Sequence, residues 1–201
     1  MKPLSVAVLG STKGSIIPSL LQFIQYKQLP VNIAAILSDK PQAPILLKAE
    51  QYKIVSEILL ANSLNRVDYD QLLNKTLKKY QIDLILLIGF MRILSKQFVT
   101  EWYGKMINVH PSLLPKHAGL MDLAVHQAVL TAKEKESGCT VHLVTTNLDA
   151  GPIILQKQCP VLKQDTAESL KARVQSLEAL AMGEAIELLI THHCTNFLEI
   201  I

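Results

Sequence analysis

Asp83-Leu84-Ile85-Leu86-Leu87-Ile88-Gly89 is the stretch that decides the fold. A half-buried strand alternates apolar and polar residues. This one does not, and a short, continuous apolar run closed by glycine is a strand covered on both faces, the mark of a parallel sheet between helices. Even extended to Met91 the uncharged run is far too short to span a bilayer.

Working back from it, residues 67–80 predict an amphipathic helix with Tyr69, Leu72, Leu73, Leu77 and Tyr80 inward. Residues 56–66 give no clear reading. A short strand is expected at 53–55, a helix at 45–52 and a strand at 31–37. The opening reads as strand 4–10, a polar glycine loop 11–15 and a helix over 16–26. Ile16, Ile17, Leu20, Leu21 and Ile24 share one face of that helix, and Pro18 sits in the first turn, where its missing N–H costs little.

Working forward, a helix at 95–102 leads into Met106-Ile107-Asn108-Val109-His110-Pro111-Ser112-Leu113-Leu114-Pro115, a buried strand ending in a proline-bracketed loop. A helix at 122–132 follows. Strands at 139–145 and 153–161 have no helix between them, so they are expected to pair antiparallel. The last helix is expected from Asp165, with Glu168 as its capping-box partner, to about 190. Its inward residues are Leu170, Val174, Leu177, Ala181, Ala185 and Leu188. The tail 191–201 is not predictable.

Strands and helices alternating in this way predict an α/β protein. The sheet should be doubly wound, mostly parallel and Rossmann-like, with helices on both faces and an antiparallel addition in the second half. Ligands of such sheets bind beyond the carboxyl ends of the strands. Loops 10–15, 89–94 and 110–115 all follow strands and should therefore share one edge.

The bulk properties narrow the function. A chain of 201 residues, 49% hydrophobic and 18% charged, is expected to form one folded domain over 1–201. Its phosphate-binding half is placed at 1–104 and its catalytic half at 105–201. Net charge is +3, unevenly spread: +6 in residues 1–100 and −3 in 101–201. The basic half suits a small anionic ligand. No lysine- and arginine-rich stripe with interleaved aromatics points to nucleic acid. Cys139, Cys159 and Cys194 are odd in number and lack C-x-x-C spacing, which speaks against disulfides or a zinc site and for a reducing, cytoplasmic setting. The first residues are too short an apolar run for a signal peptide, and no membrane association is expected.

Two pieces carry chemistry. Asn108 and His110 are two apart, so on a strand they share a face. An amide and an imidazole projecting together suit a reaction that builds negative charge on a carbonyl oxygen. Gly10-Ser11-Thr12-Lys13-Gly14-Ser15 leads into a helix N-terminus, where free N–H groups can hold a phosphate. It is neither a Walker A nor a dinucleotide fingerprint, and by itself it reads equally well as a tight turn. Read alone, Met91, Ile93 and Leu94 are core, Asp149 a turn former, Gln175 and Glu178 solvated, and His142 structural. His117, His126, His192 and His193 belong to no constellation.

Three blocks together resemble the 10-formyltetrahydrofolate-dependent formyltransferases, and among them the branch that formylates glycinamide ribonucleotide. They are Gly89-Phe90-Met91-Arg92-Ile93-Leu94-Ser95, the Asn108–Pro115 block and Leu148-Asp149-Ala150-Gly151-Pro152-Ile153. Their order and spacing fit, and the likeness runs from Val6 to about Ala181. The resemblance implies transfer of a formyl group from 10-formyltetrahydrofolate, as co-substrate, to the amine of 5'-phosphoribosylglycinamide in purine biosynthesis, with no metal. It implies catalytic Asn108, His110 and Asp149. Lys13, Gly14, Ser15, Met91, Pro111, Gln175 and Glu178 would bind the ribonucleotide, Glu178 through the ribose hydroxyls. Met91, Arg92, Ile93, Leu94, Val99, Asn108, Thr145, Thr146 and Asp149 would bind the folate. Partners would be these small molecules, and the state a monomer or weak homodimer. Ile16 stands where the family commonly has a polar Asn, residues 120–127 follow a longer variant, and 40–66 match poorly. Rival expectations are a formyltetrahydrofolate deformylase, a methionyl-tRNA formyltransferase, which would add an RNA-binding domain, and a non-catalytic folate or nucleotide binder.

Overall fold

The computed structural model describes residues 2–62, 64–194 and 196–200. Ser63, in the stretch left unread, and Thr195 and Ile201, in the tail left unpredicted, lie outside the described residues.

Seven strands form one sheet in the order β3-β2-β1-β4-β5-β6-β7. They are β1 (Leu4–Leu9), β2 (Val31–Ser38), β3 (Ser56–Ile58), β4 (Leu84–Leu87), β5 (Met106–His110), β6 (Glu136–Leu143) and β7 (Ile153–Pro160). The five strands β3-β2-β1-β4-β5 are parallel; β5–β6 and β6–β7 are antiparallel. The sheet is therefore doubly wound and mostly parallel with an antiparallel end. The chain walks outward from β1 to β3, then returns to place β4 on the other side of β1. That reversal opens a crevice at the carboxyl ends of β1 and β4, where such sheets bind ligands.

Alternation along the central strands separates two cores. Val6, Val8, Leu84 and Leu86 face one side, under α1 (Ile17–Tyr26), α2 (Ile45–Gln51) and α6 (Ala167–Thr191). Ala7, Leu9, Ile85 and Leu87 face the other, under α3 (Arg66–Lys79) and α4 (Lys96–Glu101). Helix α5 (Leu123–Thr131) packs beside α6. Ile16 lies outside the helix it was expected to start, but is 3% exposed and anchors the glycine loop in the first core.

Four local expectations need correcting. The third strand is Ser56–Ile58, not 53–55, because Lys53 takes a positive φ of 55° that ends α2 and delays the strand. On α3, Tyr69, Leu73 and Leu77 are buried, but Leu72 is 37% exposed and Tyr80 is only half-buried, so the inward stripe is narrower. The cap of α6 is Thr166 with Ser169, not Asp165 with Glu168. Asp165 instead takes a forked ion pair from Arg173 (2.6 and 2.8 Å), and that guanidinium holds its carboxyl well below the usual range. Finally, α6 is buried more widely than one stripe: Met182, Ile186 and Leu189 are in the core, while Leu177 and Leu188 are only half-buried.

Candidate active site

The three loops after β1, β4 and β5 do line one edge. Ser11 N–H donates to the Gly89 carbonyl (3.0 Å), Met91 N–H donates to Ser11 Oγ (2.9 Å), and Ser11 Oγ–H donates to Asp39 (2.5 Å), so the glycine loop and the Gly89 loop are stitched together. Gly89 needs its glycine: φ is +62° and a Cβ would stand 2.1 Å from Thr12 Oγ1. Gly14 likewise has φ +59°, with a Cβ 2.5 Å from Ile45 Cγ1. Among the described residues, no acceptor in the chain takes the N–H of Gly14, Ser15 or Ile16. Lys13 and Ser15 are exposed and Gly14 is buried between them. The loop is thus a set of free donors at the N-terminus of α1, which suits an anion.

The strand β5 sets Asn108 and His110 against β6, with Asn108 opposite His142 and His110 opposite Thr140. The loop beyond is clamped from that strand. Leu114 N–H donates to Thr140 Oγ1 (3.0 Å), whose own hydroxyl donates to the Ser112 carbonyl (2.7 Å). Gln156 bridges Thr140 Oγ1 (2.8 Å) and the Leu114 carbonyl (3.0 Å), and Pro111 sits half-buried at the start of this fixed loop.

Asp149 ties the cluster together. Its Oδ2 lies 3.2 Å from His110 Nδ1 and accepts Gly119 N–H at 2.9 Å; its Oδ1 lies 3.6 Å from His142 Nε2. Burial alone pushes this carboxyl up. The hydrogen bonds of His110 and of Gly119 N–H, with the His142 ring close by, outweigh it and hold Asp149 ionised far below the usual carboxylate range. His110 Nε2 faces the His117 carbonyl at 3.1 Å. Both ring nitrogens therefore face oxygen atoms, one a carboxylate and one a backbone carbonyl.

His142 is the residue the sequence left as structural. Its Nδ1 lies 2.8 Å from the Leu143 carbonyl and so carries the proton there, which leaves Nε2 to accept from the Asn108 amide at 3.1 Å. One Asn108 N–H is thereby fixed and the rest of the amide is oriented. The signal was the cross-strand register Asn108↔His142, which appears only once the antiparallel pairing is known.

The other expected site residues divide. Met91 and Ile93 are 41% and 63% exposed, not core, and form an apolar wall beside Leu94. The Arg92 side chain stacks over Tyr69 with its guanidinium carbon 4.0 Å from the ring centroid. Val99 is 5% exposed and lies in the core with Phe98 and Trp102. Thr145 is half-buried and donates to the Asn147 carbonyl (3.0 Å), and Thr146 is exposed in the same loop. On α6, Gln175 and Glu178 are half-buried, not solvated. Burial pushes the Glu178 carboxyl up to about 7, against the opposing pull of Lys171 and His110. The described residues contain no cluster of three or more His, Cys, Asp or Glu that could hold a metal, and no helix of the described residues is long and apolar enough to cross a membrane.

A family model described as formyl transferase matches residues 4–186, and the chain belongs to this family. Its relatives place it further. It is 37% identical to the phosphoribosylglycinamide formyltransferase of Escherichia coli, over 87% of this chain and 82% of that protein. A solved phosphoribosylglycinamide formyltransferase of Coxiella burnetii shares 42% identity at a TM-score of 0.84, covering 90% of this chain and 84% of that one. The trifunctional purine biosynthetic protein adenosine-3 of Drosophila melanogaster is 40% identical over 92% of this chain, which spans only 14% of that longer protein.

Proposed function

We propose that the chain transfers a formyl group from 10-formyltetrahydrofolate to the amine of 5'-phosphoribosylglycinamide. The observation that carries this reading is the Asn108–His142–Asp149–His110 network standing between an apolar wall and an anion loop. The wall of Met91, Ile93 and Leu94, with the backbone of Arg92 and the loop of Thr145, Thr146 and Asp149, receives the folate. Lys13, Gly14 and Ser15 receive the phosphate. Gln175 and Glu178 receive the ribose side, and Pro111 holds the floor between.

The amine attacks the formyl carbon, the new C–N bond forms, and the formyl oxygen becomes an oxyanion. The free N–H of Asn108 donates to it. The His110 Nε2–H, released from the His117 carbonyl, is the second donor. Ionised Asp149 stabilises positive charge on that ring. The tetrahedral centre then collapses, the bond to the folate nitrogen breaks, and the proton lost by the amine ends on that nitrogen. Asp149 and His110 provide the relay. Cys139 and Cys159 are buried and outside the network, so no covalent intermediate is invoked.

The test is an absorbance assay of formyl loss from 10-formyltetrahydrofolate with and without phosphoribosylglycinamide. Loss that requires the amine, with formylated product, is expected. Loss without it would make the chain a hydrolase, and no loss under either condition would leave only a binder.

A further inference from the structure

The mechanism above does not use an ion pair that joins α5 and α6. Lys171, on α6, pairs with Asp122 at the N-terminus of α5. Lys171 precedes Gln175 by four residues and Glu178 by seven, a spacing that stacks all three on one side of the helix. At one end of this ridge, Glu178 lies within electrostatic reach of His110; at the other, Asp122 lies within reach of Lys13 in the glycine loop. The ridge therefore runs from the catalytic imidazole toward the phosphate loop, with Lys171 at the loop end.

The surroundings of the pair are asymmetric. The Lys171 side chain is 25% exposed and that of Asp122 is 69% exposed, so the lysine stem is packed in place while its partner stands in solvent. An ion pair with so exposed a partner adds little to stability. Below it His126, one helical turn after Asp122, is 1% exposed and its Nδ1 has no partner. Burial, then Lys171, push this ring down to about 4 against the pull of Asp122, so it adds no competing positive charge. Meanwhile Ile16 is committed to the core and offers the loop only its backbone. The loop has one cation of its own, Lys13, for a phosphomonoester of nearly two charges.

We infer that Lys171 is a phosphate-binding residue for the phosphoribosyl substrate, held by Asp122 in the free protein and handed to the phosphate when substrate enters. This rests on the reaction proposed above. Lys171 supplies from α6 the side-chain contact that Ile16 does not supply from α1. Asp122 occupies the ammonium only in the free protein, competes with the arriving phosphate for it and is repelled by it.

Lys171→Met, Lys171→Arg and Asp122→Asn separate this from a structural ion pair. Lys171→Met should raise the KM for phosphoribosylglycinamide by about tenfold or more, the worth of one charge-assisted contact, and leave the folate KM in place. It should also weaken inhibition by inorganic phosphate by a similar factor. Lys171→Arg should recover most of both losses. Asp122→Asn, which frees the lysine and removes a repelling carboxylate, should leave the ribonucleotide KM unchanged or lower it. Equal increases in Lys171→Met and Asp122→Asn, or no increase in Lys171→Met, would overturn the inference. If the unmodified protein transfers no formyl group to this acceptor, the reaction reading fails. Binding of inorganic phosphate by calorimetry then still decides the role of Lys171: weaker binding in Lys171→Met but not in Asp122→Asn supports it, and equal binding overturns it.

Discussion

The two halves of the site are built in opposite ways. Around Asp149 the polar groups are already bonded to one another: His110 to Asp149 and to the His117 carbonyl, His142 to Asn108 and to the Leu143 carbonyl. Around Gly14 they are not: the N–H groups of Gly14, Ser15 and Ile16 have no acceptor among the described residues, and the Glu178 carboxyl on α6 is half-buried. The first half is preorganised, so its groups are in place when charge develops. The second is left open, so its unpaired donors gain their acceptor only from the ligand. Variants in the first half should therefore lower kcat, and variants in the second should raise the ribonucleotide KM.

The largest effect is expected from Asn108→Ala. Losing one oxyanion donor should lower kcat by about 100–1000-fold, with an unchanged far-ultraviolet circular dichroism spectrum and little change in either KM. A large KM effect instead would make Asn108 a binding group and erase the contrast between the halves.

His142→Leu should come next. It removes the acceptor that orients the Asn108 amide, at a cost of ~1–3 kcal/mol for the group left unsatisfied. The loss should fall on kcat, since His142 is 3% exposed and lies behind the reacting groups. A loss of thermal stability with normal kcat would reduce His142 to packing.

Glu178→Gln probes the open half. The folded carboxyl is raised from 4.5 to about 7, so the protonated form is the one the fold favours. Its contribution to stability is full below 4.5 and is lost as pH rises through 7. Thermal melts of Glu178→Gln should therefore gain on those of the parent protein as pH rises across that window and run parallel above it. Ribose hydroxyls need the ionised carboxylate as acceptor. The parent's ribonucleotide KM should thus climb as pH falls below 7, by at most about tenfold per pH unit, while that of Glu178→Gln stays flat. A flat parent profile would remove Glu178 from the substrate.

The same contrast explains what the sequence made legible. The buried run at Leu84 to Ile88 and the strand–loop–helix opening are local patterns, and the doubly wound sheet and its antiparallel end follow from them. Asn108 and His110 were visible as a pair because a strand repeats every two residues. His142 was not, because its role depends on the register between β5 and β6, which no single stretch encodes. The burial of Val99 has the same origin: it depends on how α4 packs with Phe98 and Trp102 in the core, which its own stretch does not encode. The Asp122–Lys171 contact joins two helices 49 residues apart and has no local signature at all.

The account turns on Asp149, which pairs with His110 and stands 3.6 Å from His142. The most direct measurement is kcat for formyl transfer by Asp149→Asn, a near-isosteric change that removes the charge. The account predicts a fall of at least about 100-fold, in the range of a lost general acid–base contribution, with the ribonucleotide KM within a few-fold of the parent. Near-normal turnover in that variant would contradict it.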